Sequence, residues 1–428
     1  MHRSSPPLTR RFVAALAVVA AIAFASPAQA GSNRILVKFK QDLSPLKVRR
    51  LERMIGAVQE GRVPGLGVHV LRIPGRREAA VGMLERGGLV EFAEPDGTAF
   101  RVSAGSARLV PTDPFWSREW GANAIGAPGA WAKTRGNPAV VIATLDSGVD
   151  LSHPDLQGAL LPGFDFANKD DVPADDNGHG TAVAGVIAAR AGNGVGISGI
   201  CPRCSLLPVK VASSAGTASD SAVASGMTWA ADHGARVINV SLGGSYFSQT
   251  VADAVHYATR KGVIVVSSAG NSGGSALSYP AANEGVLSVA ATDRANRLYS
   301  WSNYGPWVDV AAPGCAFTTA LAGLYADFCG TSASAPLVAG LVGLALSAAP
   351  RATSPDVEAA VEATARGVAG LAFGRVDATA TIARLGRGKR SRPGTRSQSV
   401  TRAQVRGAGL TRQAALRALP LERRRQGR

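Results

Sequence analysis

Cysteine, histidine and aromatic residues are scarce in this chain of 428 residues: four Cys, six His and 6% Phe, Trp and Tyr. With one Cys-x-x-Cys, Cys201-Pro202-Arg203-Cys204, and no His pair at finger-like spacing, the chain lacks the ligand pattern of a zinc finger. No Cys stands near Ala28-Gln29-Ala30, which argues against a lipid-anchored N-terminus. Acid is almost absent from the last stretch. Residues 385–428 hold 13 Lys/Arg and one Glu, so most of the net charge of +16 sits there. Residues 31–108 carry +6 and 1–30 carry +3, which leaves 109–384 at −5. A mildly acidic central segment gives no reason to expect a nucleic-acid-binding core. Long apolar runs are also few: 12–24 is uncharged but too short for a membrane span.

What the first 30 residues do contain is a secretory pattern. Arg3, Arg10 and Arg11 form a basic start, the run 12–24 follows, and Ala28-Gln29-Ala30 offers a small-residue cleavage site before Gly31. The expected location is outside the cytoplasm, secreted or periplasmic. Arg10-Arg11 suggests twin-arginine export, but the surrounding pattern is incomplete and the general route is expected. An exported chain favours disulfides over free thiols. Four cysteines allow three pairings, of which Cys201–Cys204 with Cys315–Cys329 is the expected one. The alternative is a metal or redox site at Cys201–Cys204.

Three segments far apart in the chain each set one reactive side chain beside small residues. They are Val140 to Gly148 with Asp146, Asn177-Gly178-His179-Gly180-Thr181, and Gly330-Thr331-Ser332-Ala333-Ser334-Ala335-Pro336. A serine hydroxyl needs an adjacent base to act as a nucleophile. Histidine titrates near working pH, and a buried carboxylate fixes its tautomer and stabilises the imidazolium. Asp146 ends an apolar run of the kind a buried parallel strand makes. His179 and Ser332 open small-residue helical runs, and a helix start favours a developing oxyanion. Taken singly, each is an ordinary turn, loop or cap residue. Together they equip the chain to attack a carbonyl.

In these blocks, TLDSGVDLSHPDL (144–156), NGHGTAVAGVIAA (177–189), SLGG (241–244), SSAGNSG (267–273) and GTSASAP (330–336), the chain resembles the subtilisin-like serine proteases, or subtilases. The likeness covers about 110–385. Ala182 and Ala333 depart from it, standing where many members carry His and Met. It implies Asp146, His179 and Ser332 as the catalytic residues. It also implies Asn271, at the end of the apolar run 263–269, as an oxyanion donor with the Ser332 N–H. Ser241, Leu242, Gly243 and Gly244, with Ser268, Ala269 and Gly270, would line the substrate pocket. Glycines there let a substrate backbone pair as an added strand. No charged residue falls in either stretch, so the pocket should prefer apolar side chains.

The resemblance further implies a structural Ca²⁺ at Asp113, Asp155 and Asn193, since oxygen ligands suit a hard cation. The acidic run Asp165, Asp170, Asp171, Asp175, Asp176 could hold a second ion or be a solvated loop. Catalysis needs no cofactor. Alternating strands and helices from residue 131 onward predict a doubly wound, mostly parallel α/β sheet. Strands are expected near 139–145, 205–211, 237–241, 263–269, 286–290 and 308–311, and helices near 179–191, 220–232, 249–261, 331–347 and 355–363. Before it, strands at 34–40, 68–74 and 90–95 with helices at 44–57 and 78–86 make a small α+β unit. That unit resembles the subtilase propeptide, which implies a folding assistant and intramolecular inhibitor.

The expected organisation is thus a signal at 1–30, a propeptide at 31–108, a catalytic domain at 109–385 and a basic, disordered tail at 386–428. The function expected is that of a secreted serine endopeptidase made as a self-processing precursor. It would act as a monomer on proteins and peptides, with no transmembrane anchor and no nucleic acid in the core. The rival is a catalytically silent binding scaffold or an envelope-attached protein with the tail as its contact. The intact Asp–His–Ser set and Asn271 speak for the enzyme.

Overall fold

The computed structural model describes residues 33–41, 43–97, 100–101 and 115–387. The leader, Asp113 and the tail beyond 387 therefore lie outside the described residues. In the N-terminal unit the order is β1 (Arg34–Phe39), α1 (Pro45–Met54), β2 (Val58–Val63), β3 (Val68–Arg72), α2 (Arg77–Arg86) and β4 (Val90–Pro95). These strands form an antiparallel sheet in the order β2-β3-β1-β4. Side chains alternate across it. Ile35, Val37 and Phe39 pack with Leu71, Ile73 and Leu84 under the two helices. Leu36, Val68 and Val70 face the other way and join a core shared with the rest of the chain. The predicted helix over 44–57 stops at Met54, and β2 is an unexpected strand. Its sequence, Val-Gln-Glu-Gly-Arg-Val, is mostly exposed at the sheet edge, so it carries no apolar alternation to read.

A two-residue strand, β5 (Phe100–Arg101), follows. The larger unit then runs α3 (Trp120–Ala124), α4 (Ala127–Trp131), β6 (Val141–Asp146), β7 (Phe164–Asp165), α5 (His179–Ala188), β8 (Ser205–Lys210), β9 (Thr217–Ala218), α6 (Asp220–Asp232), β10 (Ala235–Val240), α7 (Gln249–Arg260), β11 (Ile264–Ser268), β12 (Val286–Thr292), β13 (Val310–Pro313), β14 (Cys315–Ala320), β15 (Leu324–Cys329), α8 (Thr331–Ala348), α9 (Ser354–Thr364), β16 (Gly374–Arg375) and α10 (Ala378–Arg387). Eight strands make one parallel sheet, ordered β16-β13-β12-β11-β10-β6-β8-β7. The predicted α/β sheet is therefore present. The hairpin of β14 and β15 was not read as strands.

The central strands are buried on both faces, so their sequences are continuous Val, Ile, Ala and Leu. Helices α5 and α8 cover one face and α6 and α7 the other. From β6 the chain builds outward to β8 and β7, then returns to β10 on the opposite side of β6. Such a switch point leaves a crevice at the carboxyl ends of the strands. One described helix, α8, is long and apolar enough to cross a membrane, but it is almost wholly buried as the core helix of this domain.

The N-terminal sheet lies on α6 and α7. The Glu94 carboxylate accepts hydrogen bonds from Ser248 Oγ, Gln249 N, Thr250 N and Thr250 Oγ1 at the start of α7. Asp96 accepts from Ser221 N and Oγ at the start of α6 and pairs with Arg34 at 2.6 Å. Gly97 N donates to Asp220 Oδ2, and Asp220 N to Gly97 O. Beyond this contact β5 pairs antiparallel with β9, Phe100 opposite Ala218 and Arg101 opposite Thr217.

Three carboxylates, Glu94, Asp96 and Asp220, thus gather at this contact, where Arg34 pairs with Asp96. Burial, with the charges of Asp96 and Glu94, pushes the Asp220 carboxyl up to about 7. Burial raises Asp96 as well. A carboxyl raised in the folded state keeps a proton that the unfolded chain loses from about pH 4. The stability tied to that proton is present below about pH 4, falls as pH rises through about 7 and is gone above. The unfolding midpoint of the full chain carrying Ser332→Ala should therefore drop between pH 5 and 8, and Asp220→Asn should flatten the drop. Equal slopes in the two proteins would contradict this account.

Candidate active site

Strand β6 delivers Asp146 to the crevice, and His179 is the first residue of α5. His179 Nδ1 lies 2.7 Å from Asp146 Oδ1, and both residues are 1% exposed. The carboxylate accepts only, so Nδ1 carries the proton and Nε2 keeps its lone pair. Nε2 is buried with no hydrogen-bond partner. Asp146 Oδ1 also accepts from Ser147 N at 2.7 Å. So close an approach of helix and strand needs glycine. A Cβ on Gly180 would lie 2.0 Å from the Gly148 carbonyl oxygen. The imidazole rests edge-on against Phe328, with ring centroids 5.1 Å apart, and Phe328 lies four residues before Ser332.

Ser332 stands in the first turn of α8, after Gly330 at φ +140°. Its hydroxyl donates to the Ser241 carbonyl at 3.0 Å and is not bonded to His179. Pro336, four residues on, has no N–H to give the Ser332 carbonyl. Ser241 Oγ supplies that bond instead, at 3.2 Å, and itself accepts from Asn239 Nδ2. Hydrogen bonds between a hydroxyl and its base commonly tighten only when substrate binds.

Asn271 follows β11. Its Oδ1 accepts from Thr331 N at 2.8 Å and Thr331 Oγ1 at 2.9 Å. Thr331 Oγ1 in turn accepts from Gly270 N. With Oδ1 committed, the carboxamide presents Nδ2 outward, 3.3 Å from where a Cβ on Gly330 would stand. The Ser332 N–H is a first-turn donor, which a helix leaves without an internal partner. The sequence reading did not single out Thr331, although its place between Gly330 and Ser332 was the available signal.

Ser241 to Gly244 follow β10, and Gly244 exchanges both backbone hydrogen bonds with Tyr279. Ser268, Ala269 and Gly270 end the neighbouring strand. Leu242 does not line the crevice with its side chain: it is 1% exposed and packs in the α6–α7 core. Successive residues of an extended segment point to opposite sides, which one-dimensional motif reading ignores. Ser278 was missed. Its Oγ sits 3.1 and 3.3 Å from where Cβ atoms on Gly243 and Gly270 would be, between the two glycine edges.

Asp155 is fully buried. Its carboxylate accepts from Asn193 Nδ2 at 2.8 Å, Ile197 N at 2.8 Å and Tyr325 Oη at 3.2 Å, all neutral donors. Burial raises its pKa, and burial pushes nearby Glu119 up to about 8. Buried oxygens suit a hard cation. Here, however, three donors point at the carboxylate, and Asn193 turns its NH2 towards it while its oxygen accepts from Val195 N. A cation would need Asn193 to turn its oxygen inward. The acidic run does not gather into a second such site. Asp176 pairs with the Lys210 ammonium at 2.6 Å, Asp165 accepts from Ala167 N and Asn168 N, and Asp175 is occupied by five hydrogen bonds. Asp165, Asp175 and Asp176 are each engaged separately, and among the described residues no cluster of three His, Cys, Asp or Glu could hold a metal. Both expected disulfides are present, Cys201–Cys204 and Cys315–Cys329. The second joins residues opposite one another in the β14–β15 hairpin, just before Ser332.

The sequence profile of the subtilase family matches residues 137–401, and that of the fervidolysin N-terminal prodomain matches 17–96. The chain is 37% identical over 354 residues to a thermophilic serine proteinase of Bacillus sp. strain AK1, covering 81% of this chain and 86% of that protein. To thermitase of Thermoactinomyces vulgaris it is 44% identical over 274 residues, 63% of this chain and 97% of that one. The crystal structure of fervidolysin from Fervidobacterium pennivorans, a keratinolytic enzyme related to subtilisin, aligns with a TM-score of 0.72 and 27% identity. The match covers 82% of this chain but spans only 61% of the fervidolysin chain.

Thr331→Val removes the hydroxyl that orients the Asn271 amide and keeps the backbone donor. One hydrogen bond of about 1.4 kcal/mol predicts a turnover about tenfold lower on a peptide substrate, with KM little changed. Steady-state kinetics on the purified variant check it.

Proposed function

The chain belongs to the subtilase family, a serine endopeptidase carrying an N-terminal prodomain, and we propose that it works through Asp146, His179 and Ser332. Ser332 Oγ attacks the scissile carbonyl carbon while His179 Nε2 takes its proton. The carbonyl oxygen becomes an oxyanion, held by Asn271 Nδ2 and the Ser332 N–H. The imidazolium then gives its proton to the leaving amine, which departs and leaves an acyl ester on Ser332. Water, deprotonated by the same nitrogen, hydrolyses the ester. Asp146 holds the imidazole in one tautomer throughout and stabilises its charged form. The observation that carries this reading is the 2.7 Å Asp146–His179 contact, which leaves Nε2 buried, unpartnered and able to accept a proton.

The uncharged stretches Ser241–Gly244 and Ser268–Gly270 support broad specificity with an apolar side chain before the scissile bond. The route of the prodomain supports self-processing. Residues 94–97 cap α6 and α7, and β5 pairs with β9, whose Ala218 bridges to Ala212, itself bonded through its N–H to the Asp146 carbonyl. The cut is proposed between about Arg101 and Thr112, after which the released prodomain remains an inhibitor and assists refolding. The secretory pattern in the first 30 residues supports an extracytoplasmic enzyme. Subtilases generally bind calcium, and here Asp113, Asp155 and Asn193 would hold a structural Ca²⁺ that stabilises the fold without entering the chemistry.

Ser332→Ala should abolish peptidase activity, by the order of 10⁶ in turnover as for the nucleophile in subtilisin itself. It should also leave the precursor uncut. Normal maturation of the purified variant, free of other proteases, would exclude self-processing. Chelation should lower the unfolding midpoint of the mature enzyme, and Asp155→Ala should shrink the gain on restoring Ca²⁺. No shift with chelator would refute the calcium site.

A further inference from the structure

Helix α5 begins with an uncapped glycine. Gly178, its N-cap, has no side chain to satisfy the first-turn donors. Those donors are nonetheless nearly all taken, and from outside the helix. Asp175 Oδ1 accepts from Asn177 N at 3.0 Å and Gly178 N at 2.9 Å. Asp175 Oδ2 accepts from Thr181 N at 2.8 Å and Thr181 Oγ1 at 2.6 Å. Gly180 N donates to Ser147 Oγ at 2.9 Å, and Ser147 Oγ–H donates to Asp175 Oδ1 at 2.8 Å. Ser147 directly follows Asp146. One carboxylate therefore binds both sides of the relay: the first turn of the helix that bears the imidazole, and the strand end that bears its partner. Beneath, the fully buried Lys210 ammonium holds the Ser147 and Ala212 carbonyls.

We propose that Asp175 is a positioning residue for the reaction, whose carboxylate clamps the start of α5 onto the end of β6 and so sets the contact between His179 and Asp146. Resting on the triad reading above, the role is indirect: Asp175 touches neither substrate nor reacting atoms. Five hydrogen bonds converge on it, more than a solvated loop acid or a plain helix cap requires. Loss of the clamp lets the first turn of α5 slide or rotate over Gly148. A displacement of the order of 1 Å costs about 10²-fold in rate.

The test compares the full-length wild type with Asp175→Asn, which keeps volume but turns an acceptor into a donor facing Thr181 N. Active sites are counted with a serine-directed phosphonate. Per labelled site, Asp175→Asn should lower kcat about 10–100-fold with KM within about twofold. The acid limb of kcat/KM should move to lower pH, because the imidazolium loses part of its contact with Asp146. Ser147→Ala and Thr181→Val each remove one arm of the clamp without changing charge. Each should lower kcat about 3–10-fold per site, a bond's worth or less. They serve equally where Asp175→Asn fails to fold. Variants that melt earlier but turn over at the wild-type rate per labelled site would overturn the proposal, reducing Asp175 to support of the fold. Failure of the wild type to label at Ser332 would instead overturn the triad reading itself, and is distinguishable because it appears before any variant is made.

Discussion

Helix α5 has to start within one hydrogen bond of the carboxyl end of β6, and much of the surrounding sequence follows from that. The approach is so close that Gly180 can carry no side chain, and the backbone of Pro173 and Ala174 excludes one on Gly148. Gly178 cannot cap the helix, so Asp175 and Ser147 do so from outside. Phe328 packs edge-on against the imidazole, and both rings are buried. Ser147 N gives the Asp146 oxygen that faces the imidazole a second donor, while Oδ2 is buried without a hydrogen-bond partner.

The nucleophile side is organised by a second absence. Pro336 withholds an N–H from the Ser332 carbonyl, and Ser241 fills the vacancy. Helix α8 is thereby tied to the end of β10, as α5 is tied to the end of β6. Because β6 and β10 are neighbours at the switch point, two local ties set the starts of α5 and α8 at adjacent strand ends. Thr331 adds a third, to the end of β11, through Asn271. The site is thus held by strand ends of one rigid parallel sheet, which suits chemistry that tolerates little displacement.

The prodomain uses the opposite face of the same scaffold. Its Glu94 and Asp96 satisfy the N-terminal donors of α7 and α6, and its sheet covers apolar surface on both helices. Exposed helix starts and an apolar face are costly without a partner. That gives a physical basis for assisted folding. The concentration of acid at this contact makes the docking sensitive to proton activity.

The parallel sheet and its helices were legible in the chain, because buried strands and small-residue helices leave continuous patterns, and Asp146 and His179, at the end of one and the start of another, stand in contact. Both disulfides were legible as a choice among three pairings. Strand β2 and the β14–β15 hairpin were not, since edge strands and short hairpins need little apolar periodicity. Leu242 was read with its neighbours as one stretch, while backbone direction turns its side chain into the core. Ser278 and Thr331 were passed over, and Asp175 was read only as one member of an acidic loop, for a common reason: what each touches belongs to an element distant in sequence. By itself the sequence determined which residues can do chemistry and that they end core elements, since burial and backbone periodicity are local constraints. Only the tertiary structure decided which of those ends meet, which hydroxyl and carboxylate hold them in register, and where the prodomain lies. Those depend on the order of strands in the sheet, which no local pattern encodes.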